Sequence, residues 1–417
     1  MVKVIHAADL HIDSPLQGLM RYPDAPVELM RTATRRAVEN LVTRTLTENA
    51  DALVLAGDIY DGDWRGYETG LFFQRQMQRL HDAGIAVYLV NGNHDADSQI
   101  SRNLTLPPNV HVFATHEPET AISERLGLAV HGQGYASRAV TENLARAFPA
   151  PLGGLVNIGL LHTCLDGQRG HAPYAPCTKD ELAALGYDYW ALGHVHARDE
   201  VSTDPYIVFS GNTQGRHAKE TGPKGATVVE FGEHAVTARH EPLDVVRWAH
   251  LRVDAAGADS LEAVLGRVRD QLAGAYQDAG GRLLAARVSL TGRSDAHGAL
   301  WRGREQLDHE IRSIAHGLGA AWIEKVAIAT EPAHTDQAGD GATDHGLVVD
   351  ELARTARELG ADSERLRTLI EADPLWGKLP GEVRGEAGLL AAGDAQWREH
   401  LLDQAGELLT AMLNEAV

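Results

Sequence analysis

Short apolar runs alternate with amphipathic stretches over the first 243 residues of the chain. The apolar runs predict nine strands, over residues 3–9, 51–58, 86–93, 110–114, 127–135, 156–163, 187–194, 206–212 and 226–232. Helical periodicity covers 28–48 and 68–83, whereas the later strands follow one another through short turns. This mixture predicts an α/β fold in which sheets carry helices on their outer faces, rather than a single doubly wound sheet.

A different pattern begins near residue 244. Strand, helix, strand, helix and strand are predicted in turn, over 246–254, 258–277, 283–292, 297–317 and 321–330. Residues 331–346 are rich in Gly, Asp, Thr and Ala without periodicity, and residues 347–417 are helical in pattern. We therefore predict a first domain over 1–243, a small βαβαβ domain over 244–330, a linker over 331–346 and a helical region over 347–417.

The bulk composition narrows the class of protein. The 417 residues are 44% hydrophobic and carry a net charge of −20, of which −11 belongs to residues 331–417. Such a balance argues against nucleic-acid binding through a broad basic surface. No apolar run is long enough to span a membrane, the start "MVKVIHAADLHIDS" lacks the shape of a signal peptide, and two cysteines imply no disulfide framework. We expect a cytoplasmic protein with no membrane partner.

Polar side chains stand where several predicted strands end. They are Asp9 and His11 in "ADLH", Asp58 in "AGDIYD", Asn93 and His94 in "NGNHD", His162 in "LLHT", and His194 and His196 in "LGHVH". The carboxyl ends of neighbouring strands meet at one crevice, which is where α/β sheets hold their sites. The glycines at 57, 92 and 193 indicate tight backbone turns there.

These side chains have the chemistry of a metal site. Apart from His94, they supply two carboxylates, one amide oxygen and four imidazoles, a set that suits Mn²⁺, Fe²⁺ or Zn²⁺. Seven donors are too many for one tetrahedral zinc and too few to saturate two octahedral ions. We therefore predict two divalent ions that share a bridging carboxylate and keep positions open for water and substrate. Their charge would let an acidic protein attract a phosphodiester.

The ordered set D-x-H, G-D-x-x-D, G-N-H-D, H, G-H-x-H resembles the calcineurin-like metallophosphoesterase superfamily over the first domain. The segments "HAADLHIDSPL" and "GNTQGRHAKETGPKG" look like the YhaO branch of the SbcD-type DNA repair exonucleases. The resemblance implies a β-sandwich flanked by helices, in four αββα layers. Residues 244–330 and the helical region occupy the places of that family's capping domain and ATPase-docking region, and they match in layout only.

The resemblance also implies a role for each residue. Asp9, His11 and His196 would hold one metal, Asn93, His162 and His194 the other, and Asp58 would bridge them. His94 would face the phosphate and protonate the leaving oxygen or stabilise the transition state, and Asp61 would orient its imidazole.

Two features remain open between a structural and a functional interpretation. Arg216, His217, Lys219 and Lys224 form either an exposed polar loop or a contact to a phosphate backbone beside the metals. The apolar positions of the helical region either pack on their own domain or dock onto a partner's coiled coil; they are Leu366, Leu369, Ile370, Leu401, Leu402, Leu408, Leu409 and Leu413.

The remaining histidines and cysteines fit no position of the motif. We expect solvated or structural roles for His6, His81, His111, His116 and His131, a buried apolar role for Cys164, and no specific role for Cys177.

The leading functional hypothesis is a Mn²⁺-dependent DNA exonuclease, with endonuclease activity as an open extension. The family resemblance implies a homodimer that acts in DNA repair with an SMC-like ATPase of the SbcC/YhaN type. The alternatives are a phosphodiesterase or phosphatase for small nucleotides, which would use the same metal core, and a structural adaptor with a vestigial site. The 174 residues beyond the first domain favour a macromolecular substrate, and the complete donor set argues against an adaptor.

Overall fold

A computed structural model describes residues 1–14, 25–61, 67–97, 104–166, 174–233 and 235–333. It also describes helical pieces of the C-terminal region, at 351, 354–355, 358–359, 362–372, 401–402, 405–406 and 408–409. By internal contacts the chain divides into two compact units. The first comprises 1–250, 275–286 and 320–324, and the second comprises 251–274, 287–319 and 325–417.

Six strands of the first unit form one mixed sheet in the order β12-β11-β1-β2-β3-β4. The strands are β1 (Val2–Ala7), β2 (Ala52–Ala56), β3 (Ala86–Val90), β4 (Val110–Val112), β11 (Gly225–Phe231) and β12 (Val236–Pro242). β1, β2, β3 and β4 run parallel, and β11 and β12 are antiparallel to their neighbours. The carboxyl ends of β1, β2 and β3 therefore lie at the same edge.

A second mixed sheet has the order β5-β6-β7-β8-β10-β9. Its strands are β5 (Glu119–Ser123), β6 (Leu128–Gln133), β7 (Val156–His162), β8 (Tyr189–Gly193), β9 (Asp199–Thr203) and β10 (Tyr206–Phe209). The four inner strands are parallel, and the two edge strands pair antiparallel.

Both faces of the central strands are buried, which explains why strands such as "ALVLA" of β2 are apolar at every position. Val54 and Val90 of the first sheet share a core with Val130 and Leu160 of the second. On the outer face of the first sheet, Leu53 and its neighbours pack against α2 (Ala33–Thr47) and α3 (Glu68–Asp82). On the outer face of the second, Trp190 packs with Leu182 of α5 (Lys179–Ala184). These layers confirm the predicted α/β sandwich of two sheets flanked by helices.

The described residues also form further helices and a third sheet. Three short or outlying helices are α1 (Val27–Arg31), α4 (Asn93–Asp97) and α9 (Ser363–Ala372). A three-stranded sheet has the order β13-β14-β15, formed by Val246–Asp254, Leu283–Ser294 and Ala321–Pro332. Helices α6 (Leu261–Asp278), α7 (His297–Arg302) and α8 (Arg304–Gly317) lie between these strands in sequence. No helix in the described residues combines the length and apolarity needed to cross a bilayer.

The predicted elements differ from the observed ones in identifiable ways. The helix predicted over 28–48 is interrupted at Thr32, and the helix predicted over 297–317 is interrupted at Gly303. The strands predicted to reach residues 9, 58 and 93 end two to three residues earlier. The strand predicted to reach residue 194 ends one residue earlier. Most of the predicted linker, from 334 to 346, and Leu413 lie outside the described residues. The predicted domain limits remain predictions.

Candidate metal centre

The strands that carry the predicted site end in an unusual backbone conformation. Asp9, Asp58 and His194 follow β1, β2 and β8, and their φ angles are 52°, 53° and 104°. His11 has a φ of 42°. Residues other than glycine rarely adopt positive φ, and such strain clusters at functional sites. The turns end the strands early and direct these side chains into the crevice.

Backbone hydrogen bonds join the strand ends to one another. Asp9 N–H donates to Gly57 O at 3.0 Å, and His11 N–H donates to Asp58 O at 3.1 Å. The loop after β1 is thereby tied to the loop after β2. Buried Asp95 ties the latter to α4, because its carboxylate accepts N–H bonds from Ile59, Tyr60 and Gly92 at 3.0–3.2 Å.

Two glycines allow this close approach. A Cβ on Gly92 would lie 2.2 Å from Asp58 Oδ1, and a Cβ on Gly193 would lie 1.9 Å from Ala56 O. Neither has a positive φ, so they are required for space rather than for a special turn. The predicted reason for glycine, a tight turn, is therefore wrong at Gly92 and Gly193. It holds at Gly57, which adopts a φ of 87°.

Asp9, His11 and His196 form one group of potential ligands, which we call the first donor group. His11 and His196 lie at its centre. Their Nε2 atoms lie 3.2 Å apart, and His196 Nε2 lies 4.0 Å from Asp9 Oδ1. The opposite nitrogen of each ring faces a carboxylate: His11 Nδ1 lies 3.2 Å from Asp61, and His196 Nδ1 donates to Glu220 at 2.7 Å. Glu220 holds the proton of His196 on Nδ1, and the charge of Asp61 beside His11 Nδ1 favours the same tautomer there. Both Nε2 lone pairs are then directed at one point.

His162, Asn93 and His194 form the second donor group. His162 Nδ1 donates to the carbonyl of Ala56 at 2.9 Å, so its Nε2 carries no proton when the ring is neutral. That Nε2 lies 3.0 Å from Asn93 Oδ1, which is also an acceptor. The ring of His194 lies 5.2 Å from that of His162, at an angle of 70°.

Asp58 lies between the two groups. One oxygen, Oδ1, accepts the N–H of His94 at 2.9 Å. The other, Oδ2, lies 3.6 Å from His162 Nε2 and 3.9 Å from His11 Nε2. Acceptors that face one another without a proton between them repel, and a cation removes that repulsion. The donor set therefore fits a pair of divalent ions.

The electrostatics of the buried groups agree with this fit. Burial raises the pKa of Asp58 to about 6. Burial and the neighbouring Asp58 raise the pKa of Asp9 well above its usual range. Burial lowers the pKa of His11 and of His162 to about 3, so both rings are neutral near pH 7. Neutral imidazoles are the protonation state that metal binding requires. The raised pKa values of Asp9 and Asp58 show that their ionised forms are unfavourable in this buried site, and a bound cation would stabilise them.

The structure brings His94 and Asp61 to the same place. His94 Nδ1 lies 3.3 Å from Asp61 Oδ1, and the His94 ring lies 5.0 Å from the ring of His11. About a third of the His94 side chain is exposed, whereas the side chains of His11 and His162 are buried. One potential ligand atom of His94 also lies within 4.8 Å of those of His11 and Asp58, so its geometry alone leaves a ligand role open.

The basic cluster does not behave as one surface. Lys224 is buried and its Nζ donates to the carbonyl of His196 at 2.7 Å. Arg216 faces the carboxylates of Asp61 and Glu220 at 3.5 and 3.4 Å. His217 and Lys219 are exposed. Of the four residues, only these last two are exposed, and His217 Nε2 lies 3.6 Å from Glu220 Oε1.

Sequence reasoning missed Glu220 and gave no role to Asp95. Asp95 had a signal, because it is the last residue of the "GNHD" motif that supplies Asn93 and His94. Glu220 lies 24 residues after His196 and has no fixed spacing to any ligand, so no local pattern marks it. The sequence pattern of the "GRHAKE" stretch indicated a basic cluster instead.

The histidines and cysteines outside the motif are structural where the structure describes their contacts. His6 is fully buried between the Tyr189 hydroxyl and the carbonyl of Leu192. His131 stacks on Tyr187. Cys164 and Cys177 are buried and form no disulfide, and burial was predicted for Cys164.

Comparison with known proteins agrees with this geometry. Residues 2–198 match the model of the calcineurin-like phosphoesterase family. The chain carries a calcineurin-like phosphoesterase domain. Residues 248–331 match the middle domain of metallophosphoesterase YhaO, which confirms the resemblance predicted from the motifs. A dinuclear divalent metal site is implied for this family, in agreement with the donor groups found here.

Three curated relatives define the similarity further. The chain is 36% identical over 270 residues to the uncharacterized metallophosphoesterase YhaO of Bacillus subtilis, covering 64% of this chain and 66% of that protein. It is 27% identical to the DNA double-strand break repair protein Mre11 of Haloferax volcanii, covering 65% and 58%. It is 22% identical to the SbcD component of the nuclease SbcCD of Staphylococcus saprophyticus, covering 59% and 70%. The match thus spans less than two thirds of the first two relatives.

Proposed function

We propose that this metallophosphoesterase is a DNA nuclease that hydrolyses phosphodiester bonds with two divalent ions, Mn²⁺ in the leading hypothesis and Fe²⁺ or Zn²⁺ as alternatives. The observation that carries the proposal is the position of Asp58 Oδ2 between unprotonated nitrogens of the two donor groups. The names of the Mre11 and SbcCD relatives support DNA as the substrate class.

Each side chain has a definite task in this proposal. Asp9, His11 and His196 would hold one ion, Asn93, His162 and His194 the other, and Asp58 both. A pair of ions in such a site lowers the pKa of water and offsets the charge on the attacking and leaving oxygens of a phosphoester. The carbonyl of Ala56 and the carboxylate of Glu220 keep the ligand rings of His162 and His196 in the tautomer that can bind a cation.

His94 is the proton donor of the proposed reaction. Its Nδ1 faces the Asp61 carboxylate, and this contact directs the other ring nitrogen away from Asp61. Partial exposure lets the ring reach a substrate at the mouth of the site. A positioned imidazole of this kind would protonate the leaving oxygen or stabilise the charge that develops on it.

The exposed side chains of His217 and Lys219 are the proposed contacts to the DNA backbone, together with Arg216 at the edge of the site. Neutralising Lys219 should flatten the salt dependence of DNA binding, because each phosphate contact releases a counterion. An unchanged slope would exclude the contact. Lys224 is not part of this proposal, since its ammonium is buried on the carbonyl of His196.

A substrate panel tests the proposed function. Purified protein with Mn²⁺ is offered linear double-stranded DNA, single-stranded DNA and a small phosphodiester, with EDTA as the matched control. The proposal expects Mn²⁺-dependent cleavage of DNA. Cleavage of the small ester alone would favour a phosphodiesterase for small nucleotides, and no cleavage despite bound metal would favour an adaptor.

The partners of the protein are proposed from its relatives. We infer a homodimer that works with an SMC-like ATPase of the SbcC/YhaN type in DNA repair, docked through the helical region over 347–417. In the described part of that region, Leu369, Leu408 and Leu409 are exposed apolar side chains. Loss of ATPase binding when these three are changed to Ser, or when the chain is truncated after 340, would support docking. Retained binding would refute it, and sedimentation of the full chain tests the dimer.

A further inference from the structure

The Asp61 carboxylate is a junction of several side chains. Its Oδ1 lies 3.2 Å from His11 Nδ1, 3.3 Å from His94 Nδ1 and 3.5 Å from Arg216 Nη1. Its Oδ2 accepts the hydroxyl of Ser14 at 2.8 Å. Asp61 therefore contacts one residue of the first donor group and the proposed proton donor at the same time.

Glu220 is a second junction on the other side of the first donor group. Its Oε1 accepts from His196 Nδ1 at 2.7 Å and lies 3.4 Å from Arg216 Nη2. Its Oε2 accepts from Asn212 Nδ2 at 2.9 Å and from the backbone N–H of Arg216 at 2.7 Å. Every described contact of this carboxylate holds either His196 or the loop that follows Asn212.

The guanidinium of Arg216 joins the two junctions, because Nη1 faces Asp61 and Nη2 faces Glu220. The contacts close a ring through the first donor group. It runs from His11 to Asp61, Arg216, Glu220 and His196, and back to His11 across the 3.2 Å between the two Nε2 atoms. Four of these contacts orient the imidazoles of His11 and His196. The fifth is the pair of Nε2 atoms, and a cation would bind there.

We propose that Arg216 is a positioning residue of the metal centre. By joining Asp61 to Glu220 it sets the angle and separation of the His11 and His196 imidazoles, and so the affinity of the first donor group for its ion. This inference rests on the proposed assignment of His11 and His196 as ligands of one ion. It assigns Arg216 no contact with an ion, since its charge would repel one.

The contacts of Arg216 with Asp61 and Glu220 are largely buried, unlike those of a surface ion pair. The side chains of Arg216, Asp61 and Glu220 are 17%, 15% and 8% exposed. Breaking a buried pair by removing one partner leaves an uncompensated charge and is strongly unfavourable.

The planar fork of arginine suits this position. Two nitrogens of one guanidinium reach two separate carboxylates, whereas a lysine ammonium is a single compact charge on a flexible stem. Arg216→Lys keeps the charge but loses the bridge, and Arg216→Gln loses both. The pair of variants therefore separates the geometric contribution from the electrostatic one.

A Mn²⁺ titration of the metal-free full-length protein by calorimetry tests the proposal. Replacement of a residue that orients a metal ligand costs 10–100-fold in affinity. We expect Arg216→Gln to weaken one Mn²⁺ by about 10-fold and to leave the other unchanged, with Arg216→Lys in between. Lys219→Gln removes a positive charge from the exposed part of the same loop and should bind both ions as the wild type does.

Double variants identify the affected ion. With His162→Ala removing a second-group ligand, adding Arg216→Gln should weaken the remaining tight Mn²⁺. With His196→Ala removing a first-group ligand, adding Arg216→Gln should change the remaining tight Mn²⁺ little. The reverse pattern would overturn the role, as would an equal effect on both ions or none.

Two controls keep the outcome decisive. Thermal unfolding of the metal-free variants reports on folding, and if Arg216→Gln fails to fold, Arg216→Lys carries the same test. A wild-type protein that binds fewer than two Mn²⁺ would refute the ligand assignment, and with it the role of Arg216. Two bound Mn²⁺ with no effect of either Arg216 variant would refute the role of Arg216 alone.

Discussion

The Nε2 atoms of His11 and His196 lie 3.2 Å apart, and the Nδ1 of each ring faces its own carboxylate. His196 and His194 are separated by a single valine, yet their rings have different neighbours. The imidazole of His196 lies beside Asp9, His11, Arg216 and Glu220, whereas the ring of His194 lies beside that of His162. Two histidines that are adjacent in sequence thus belong to different donor groups.

This division predicts separate effects of two neighbouring substitutions. His196→Ala should weaken the ion held by Asp9 and His11 first, and His194→Ala the ion held by Asn93 and His162. Loss of one imidazole from such a site should cost at least about 10-fold in affinity for that ion, by comparison with the effect of orienting groups. Stepwise Mn²⁺ titration measures both constants, and loss of the same ion in both variants would contradict the division.

His94 should be required for turnover and not for metal. His94→Ala is expected to keep both Mn²⁺ and to lose 10²–10⁴-fold in the rate of phosphoester cleavage, because general-acid assistance is of this size. Rate and Mn²⁺ stoichiometry are measured on the same preparation. If the variant loses an ion, His94 is a ligand, as its distance to His11 and Asp58 permits.

The sequence predicts the proposed metal ligands better than the residues that orient them. Asp9, Asp58, Asn93, His162 and His194 were identifiable because each follows or ends an apolar strand, and parallel strand ends converge. Glu220 was not identifiable, because a carboxylate that orients a ligand needs only proximity, which the fold supplies across 24 residues of loop and strand.

The same limit applies to the secondary structure. The central strands were predicted because both their faces are buried and they read as apolar runs. The strands β5, β9 and β12 were missed, because they lie at sheet edges and their half-exposed residues, as in "DEVST", carry no apolar run. The strands β1, β2 and β8 were predicted to be too long. The polar residues that follow them have positive φ, which ends the strand pairing there.

Gly92 should be irreplaceable for steric reasons. In Gly92→Ala the new Cβ would lie 2.2 Å from Asp58 Oδ1 and 2.7 Å from Asp58 N, so the carboxylate between the donor groups must move. We expect both Mn²⁺ to bind more weakly and the free energy of unfolding to fall by about 1–3 kcal/mol, as for other overpacked sites. Gly153→Ala is the control, because among the described residues no atom beyond its chain neighbours lies within 4 Å of its Cβ. Equal behaviour of the two variants would contradict the steric explanation.

His6 should make stability depend on pH. Burial lowers its pKa to about 3, below the usual value near 6.5. Below pH 6.5 the unfolded chain binds a proton that the folded protein excludes, so stability is lost as the pH falls from 6.5 towards 3. This histidine should cost about 2 kcal/mol between pH 7.5 and 5.

Urea unfolding in EDTA at both pH values measures this effect against His6→Gln. The variant has no titrating ring at this position, and its amide can still contact the Tyr189 hydroxyl and the Leu192 carbonyl. Its stability should therefore fall less between pH 7.5 and 5 than that of the wild type. An identical fall in both proteins would exclude His6 as the source.

Anomalous diffraction from crystals soaked in Mn²⁺ tests the central claim most directly. The account predicts two peaks roughly 3.5–4 Å apart, one among Asp9, His11 and His196 and one among Asn93, His162 and His194, with Asp58 contacting both. A single peak held by His194 and His196 together, or peaks away from Asp58, would contradict the account.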